Sequence, residues 1–307
     1  MSKVFIFGSG FLVRHIANEF TSNGDEAIVM YNNYKLENYS GTQLMMKGSD
    51  IIDCLIKNKP DYILFAKGDS FVSGNANILS SIDSNVIPIA ELLDMLNESL
   101  DKLDFIKKII VIGSAAEYVK KSSALQEDDD INPTSVYGLS KIFLFNTVMY
   151  YFNKGLPIVY ARQFNAIGPY QREQFVLAAF VSQLVNIEGG AKPKLEVGDL
   201  TCERDFIDGR DAAYGYRLLF ENGVPGEVYN VGSGKSIKIK VLLDTILNKL
   251  DYDGKIEIVT TKKDNLSKNS LTDRLLSNNN KLIQLGFKEK FTLDKTIEDT
   301  LTYWRNV

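Results

Sequence analysis

Tyr137 and Lys141 stand four residues apart in the stretch Pro133-Thr134-Ser135-Val136-Tyr137-Gly138-Leu139-Ser140-Lys141, whose pattern predicts a helix running to about Asn153. Residues at i and i+4 share a helix face, so the ammonium comes near the phenol. A free phenol titrates near ~10 and shuttles protons poorly at neutrality, whereas a neighbouring positive charge favours phenolate. Tyr137 is therefore a candidate acid or base, although a solvated lysine beside a half-buried ring has the same spacing. Ser114 ends a predicted strand, Lys107 to Ile112, that runs into Gly113-Ser114-Ala115-Ala116-Glu117-Tyr118. Its hydroxyl either donates to a substrate oxygen beside Tyr137 or satisfies local backbone.

Composition removes other chemistries. His15 is the only histidine, and Cys54 and Cys202 are isolated, so no His/Cys metal site, disulfide framework or histidine-assisted nucleophile is expected. His15 falls in the first helical pattern and reads as a helix-surface or packing residue. A net charge of −4, a pI near 5.3 and scattered lysines argue against a nucleic-acid partner. The apolar run at the N-terminus is too short for a signal peptide or membrane span, and no later run reaches that length. A soluble, cytoplasmic protein without a membrane partner is expected.

The elements that must position these groups follow a strand-helix rhythm. Lys3 to Phe7 reads as a buried strand, followed by Gly8-Ser9-Gly10-Phe11-Leu12-Val13 and an amphipathic stretch, Arg14 to Ser22. Strand, glycine turn and helix in that order is the context of a dinucleotide site, where glycines admit the pyrophosphate and the helix N-terminus holds it. Gly8, Ser9, Gly10, Phe11 and Leu12 are the candidate contacts. A second strand, Ala27 to Tyr31, ends in Asn32-Asn33-Tyr34-Lys35, where no carboxylate waits for a ribose 2′-hydroxyl. This favours NADPH, with NADH the alternative, and with Asn32 and Lys35 as contacts; Lys35 reads equally as a solvated loop residue. Helical patterns at 51–57 and 78–100 alternate with strands at 61–66 and 157–162, and Ala66, at its strand end, joins the cofactor contacts. The fold class expected is α/β, a doubly wound parallel (Rossmann) sheet with a smaller C-terminal substrate-binding lobe. Residues 1–168 are expected to be mainly the dinucleotide-binding domain. Residues 169–307 are expected to be mainly the lobe, with part of the chain returning to the sheet.

Between these elements, Lys120 to Asn132, with its run Glu127 to Asp130, reads as a solvated polar loop. Gln163 to Gln171 is a polar strand end with a Gly168-Pro169 break and contains Asn165. Arg204-Asp205-Phe206-Ile207-Asp208-Gly209-Arg210-Asp211 precedes a predicted helix, Ala212 to Phe220. Two arginines among three aspartates make either a diphosphate grip or an internal ion-pair network.

These motifs, in this order, resemble the extended short-chain dehydrogenase/reductase family over essentially the whole chain. The resemblance implies Ser114, Tyr137 and Lys141 as the catalytic serine, tyrosine and lysine, with Lys141 also on the cofactor ribose beside Tyr137. The shortened glycine loop and Val13 depart from the family pattern. Arg162 to Gln171, Val197-Gly198-Asp199-Leu200 and Arg204 to Asp211 look most like the reductases of nucleotide-linked 4-keto-6-deoxyhexoses, in deoxysugar and surface-polysaccharide biosynthesis. That implies Asn165 and Arg204 as substrate contacts beside Ser114, with Arg204 on a phosphate. Sugar-nucleotide dehydratases carry proton-shuttling residues directly after the serine or threonine; Ala115 and Ala116 stand here instead. The late Arg-Pro pair of GDP-type reductases has no counterpart in Asn265 to Arg274, which leaves GDP and dTDP substrates both open. A 4-epimerase with tightly bound NAD uses the same residues and is the alternative, ahead of a non-catalytic binding protein. The resemblance also implies a homodimer through the helices around 78–100 and 135–153.

Overall fold

Lys3 to Phe7 and Tyr62 to Phe65 are almost wholly apolar, as strands covered on both faces must be. The computed structural model describes residues 1–31, 34–37, 39–45, 50–68, 77–261 and 274–307. It begins β1 (Lys3–Phe7), α1 (Phe11–Ser22), β2 (Glu26–Tyr31), β3 (Thr42–Met45), α2 (Ile51–Asn58), β4 (Tyr62–Phe65), α3 (Ile78–Asn85), α4 (Ile87–Glu98), β5 (Lys108–Ser114), α5 (Val136–Phe152) and β6 (Ile158–Gln163). After β7 (Asn165–Ile167), α6 (Val176–Glu188), β8 (Lys194–Val197), β9 (Glu203–Asp208) and α7 (Gly209–Asn222), the chain returns as β10 (Val228–Val231) to pair with β6. It closes with β11 (Ser236–Lys238), α8 (Ile239–Leu247), β12 (Glu257–Thr260), β13 (Arg274–Leu275), α9 (Asn280–Gln284) and α10 (Leu293–Arg305).

The central sheet has the order β10-β6-β5-β4-β1-β2-β3 and is parallel throughout. Alternation along β1 divides the core. Val4 and Ile6 face Ile16, Phe20 and Leu219, while Phe5 and Phe7 face Leu55, Leu93, Leu144 and Val148. Each such buried side chain contributes about 1.5–3 kcal/mol, and Phe5→Ala would cost about 3–5 kcal/mol. Lys108 fixes α7 across the sheet: its buried ammonium donates to the carbonyls of Leu219 (3.2 Å) and Phe220 (2.8 Å) in the last turn of that helix.

Two details depart from the expected elements. The 78–100 stretch is two helices, because Val86 ends α3 and Pro88, which lacks an N–H, sits in the first turn of α4. Edge strand β3 was not expected, since its four residues are half-buried or exposed and carry no apolar alternation. Beyond the sheet, β11, β9 and β13 form a second sheet that β7 joins through β9, and β12 pairs with β8. Their core is built by Leu177, Phe180 and Leu184 of α6, Leu242 and Ile246 of α8, and Ile297 and Leu301 of α10.

Candidate active site

Ser114 ends β5 and caps a single 3₁₀ turn, Ala115–Glu117. Its Oγ accepts the N–H of Ala116 at 3.1 Å, and the Glu117 carboxylate reaches back to the Ser114 N–H at 2.8 Å, completing a capping box. With that bond accepted, the hydroxyl still has its proton to donate. Ser135 starts α5 by accepting the N–H of Gly138 at 3.0 Å. Gly138 lies directly on the Ser114 turn, where a side chain could not fit, and this seats the first turn of α5, with Tyr137, beside Ser114.

Lys141 is buried one turn further on. Its Nζ donates to the carbonyl of Ile112 in β5 at 3.2 Å and stands 5.8 Å from the centre of the Tyr137 ring. Burial pulls its pKa down to about 8, against the opposing pull of the Glu117 carboxylate. Between the two, Ser140 donates to the Tyr137 carbonyl (2.8 Å) and accepts from buried Asn85 of α3 (3.1 Å), so α3 braces the same helical turn. Ser114, Tyr137 and Lys141 are thus brought together at the carboxyl ends of β5 and its neighbours, where ligands bind in open α/β sheets.

The glycine loop meets the same edge. Gly8 has φ +145°, and a Cβ there would stand 2.9 Å from the Ala66 carbonyl oxygen, so only glycine lets β1 turn this close to the end of β4. Ser9 and Gly10 complete the loop. Gly10 is the N-cap of α1, no side chain caps the helix, and nothing lies within 4 Å of where a Cβ would be. The first-turn N–H groups, of Phe11, Leu12 and Val13, therefore face an open cradle at a helix N-terminus, which fits a pyrophosphate. Asn32 lies outside the described residues. Lys35 is exposed, its Nζ 5.6 Å from the Tyr31 ring centre. Arg14, which drew no attention in the sequence, is buried, stacks 4.3 Å over the Tyr170 ring and donates to the Glu37 carbonyl, spanning from α1 to the segment after β2.

In the second sheet, Asn165 of β7 donates to the Asp205 carbonyl of β9 at 3.1 Å, and Arg204 of β9 donates to the Glu203 carbonyl at 2.8 Å. The strands pair Asn165 with Phe206, which puts Asn165 and Arg204 on neighbouring strands. The arginine–aspartate run divides its labour. Arg210 is bound to Asp208 and to Asp299 of α10, both at 2.7 Å, and lies over Phe291, so it belongs to an ion-pair network. Asp205 is fully buried and accepts from the backbone and hydroxyls of Ser233 and Ser277 and from the Gly234 N–H, which ties three separate segments together. Burial pushes its pKa up while those donors pull it back.

Two acidic residues of this region are tied into the structure. Glu127 opens the run read as a solvated face and is half-buried, its carboxylate accepting the Asn230 N–H at 3.0 Å and its carbonyl accepting from Arg162 at 2.9 Å, while Asp128 and Asp130 are exposed. Glu117 is buried completely, and the spacing Ser-x-x-Glu was the sequence signal for its capping role. His15 is buried between Phe11 and the Pro169 carbonyl, with its pKa lowered to about 4 by burial against the opposing charge of Asp208. Among the described residues there is no cluster of His, Cys, Asp and Glu that could hold a metal ion, and no helix is long and apolar enough to cross a membrane.

The sequence model of the NAD dependent epimerase/dehydratase family matches residues 4–232. A GDP-6-deoxy-D-mannose reductase of Pseudomonas aeruginosa is 28% identical over 193 residues, which cover 61% of this chain and 62% of that protein, less than two thirds of its length. The solved structure of RMD from Pseudomonas aeruginosa complexed with NADPH superposes with a TM-score of 0.79 over 100% of both chains at 22% identity. UDP-glucuronic acid 4-epimerase from Bacillus cereus, in complex with UDP-glucuronic acid and NAD, gives 0.81 over 99% of both chains at 21% identity. At these identities the solved structures speak for the fold.

Proposed function

The chain belongs to the NAD dependent epimerase/dehydratase family, and from that premise we propose that it is a cytoplasmic reductase of a nucleotide-linked 4-keto-6-deoxyhexose. The observation that carries this reading is the set Ser114, Tyr137 and Lys141 around a turn whose next two residues, Ala115 and Ala116, have no group that moves a proton. The similarity to a GDP-6-deoxy-D-mannose reductase supports it.

A bound nicotinamide cofactor supplies the hydride for the C4 carbonyl carbon. Tyr137 gives its phenolic proton to the carbonyl oxygen, and the Ser114 hydroxyl donates a hydrogen bond to that same oxygen. The Lys141 ammonium offsets the negative charge left on Tyr137. Gly8, Ser9, Gly10, Phe11, Leu12 and Ala66 would hold the cofactor, together with Tyr137 and Lys141. NADPH is the preferred form: Lys35 belongs to the segment after β2, Arg14 reaches it, and Asn32 brings no carboxylate. Asn165 and Arg204 hold the sugar nucleotide, Arg204 on a phosphate, in a lobe drawn mainly from residues 169–307. A second copy of the chain covers the apolar face of α5, where Phe143 is 42% and Tyr150 56% exposed.

The test is incubation with NADPH and a panel of GDP- and dTDP-linked 4-keto-6-deoxyhexoses. Stoichiometric loss of reduced-cofactor absorbance with one member is expected. Interconversion of hydroxy sugars without net cofactor consumption would instead support a 4-epimerase with tightly bound NAD.

A further inference from the structure

Glu117 is 0% exposed and lies directly behind the turn that carries Ser114. Its Oε1 accepts from the Ser114 N–H and from the Tyr160 hydroxyl, both at 2.8 Å, and its Oε2 accepts from Arg162 Nε at 2.8 Å. The Tyr160 hydroxyl, whose one proton goes to the carboxylate, also packs 3.3 Å from the carbonyl oxygen of Lys141, so the carboxylate is bonded to the serine turn and holds a phenol against the helix of the tyrosine and lysine. Arg162 is itself fixed, bonded to the Glu127 carbonyl and held over the Tyr118 and Phe145 rings, at 4.5 and 5.1 Å from their centres. Burial pushes the Glu117 carboxyl up and the guanidinium pulls it back. Two of its partners, the Ser114 N–H and Arg162 Nε–H, can only donate, and the carboxylate is the form that accepts them.

We propose that Glu117 is a positioning residue for the reduction, a buried carboxylate that sets the Ser114 hydroxyl against the helix carrying Tyr137 and Lys141. This rests on the reading of those three residues given under Proposed function. Glu117 does not touch substrate: it is enclosed, and both its oxygens are taken by protein donors. A buried ion pair is a poor source of stability, since apolar residues of similar volume often serve as well. Its value here is directional. It aims the N–H of Ser114, and with it the turn whose hydroxyl must meet a substrate oxygen within a few tenths of an ångström.

The experiment is a double-mutant cycle on the full chain, Glu117→Gln with and without Ser114→Ala, assayed with NADPH and whichever GDP- or dTDP-linked 4-keto-6-deoxyhexose the panel identifies. Thermal melting and NADPH fluorescence titration accompany each variant. Glu117→Gln is expected to lower kcat by ~10-fold or more when Ser114 is present and by less than ~2-fold when it is absent, with KM and NADPH affinity nearly unchanged. Tyr160→Phe, which leaves the Glu117–Arg162 pair in place, is expected to act in the same direction by a smaller factor, and it carries the cycle if Glu117→Gln does not fold. Equal losses with and without Ser114, or no loss of kcat, overturn the inference. Wild-type turnover in Tyr137→Phe would instead overturn the catalytic reading beneath it.

Discussion

A methyl group on Gly138 would stand 2.3 Å from the carbonyl oxygen of Ala116, well inside contact distance, so the start of α5 and the turn carrying Ser114 are spaced by the absence of a side chain. Gly138→Ala must push the two apart. The expected cost is about 1–3 kcal/mol of stability, typical of overpacking, read by denaturant unfolding. Turnover should fall by about 10²-fold, because a shift near 1 Å in a catalytic group has that scale of effect. A variant with wild-type kcat would show that the Ser114–Tyr137 spacing is not limiting.

Replacing Tyr137 by Phe removes the proposed proton donor and leaves the ring in place. Turnover is expected to drop by ~10²–10⁴-fold, the usual worth of general acid catalysis. The glycine loop and the α1 N-terminus are untouched, so NADPH affinity, measured by fluorescence titration, should stay within ~3-fold of wild type.

Lys141 gives a pH signature. Its pKa in the folded protein is about 8, below the ordinary lysine value, because burial disfavours the ammonium. The ammonium is present below that pH and lost above it, so kcat/KM for cofactor, which reports the free enzyme, should fall as pH rises through about 8. Stability has the opposite sign. Below pH 8 both folded and unfolded chains carry the proton and the burial penalty is fully present; from there up to ~10.4 the folded chain sheds its proton first, and stability rises. Lys141→Met should abolish both trends, checked by a pH–rate profile and by denaturant melts at two alkaline pH values.

His15, the single histidine, makes acid sensitivity separable. Its folded pKa of about 4 lies below the unfolded value, so the unfolded chain binds a proton first as pH falls. Between pH 7 and pH 5 this should remove about 2 kcal/mol of stability, and His15→Phe should remove most of that loss. The lone imidazole C2 proton resonance offers the direct check: a midpoint near ~6.5, the unperturbed value, would contradict the buried environment.

The parallel core was readable because doubly covered strands are unbroken apolar runs, as in Val4 to Phe7 and Ile63 to Phe65. Edge strand β3 was not, since Thr42 to Met45 has no period to read. The break at Val86 had a local signal, Pro88, that the helical periodicity on either side masked. Tyr137 and Lys141 could be paired because their relation is a helical repeat. The links of Glu117 could not, since Tyr160 and Arg162 lie 43 and 45 residues away and meet it only across β5 and β6. The same holds for the arginine–aspartate run, where Asp299, 89 residues beyond Arg210, decides that this arginine is paired. The capping box shows the intermediate case: Ser114 and Glu117 have a readable spacing, but burial turns that local cap into a junction with the rest of the site.

The return of β10 to the edge of β6 sets the rule for recombining this protein with its relatives. A crossover placed after Ile167 would pair β6, from Tyr160 to Gln163, with a relative's strand in place of Val228 to Val231, whose register it is matched to. Because α8 and α10, which build the second core with α6, follow β10 in the chain, a chimera that exchanges that core and keeps β10 with the sheet carries three junctions, one before α6 and one on each side of β10. Exchanged that way, the second core comes in two pieces, one inserted between β6 and β10 and one following β10, and the seven-stranded sheet keeps all of its strands.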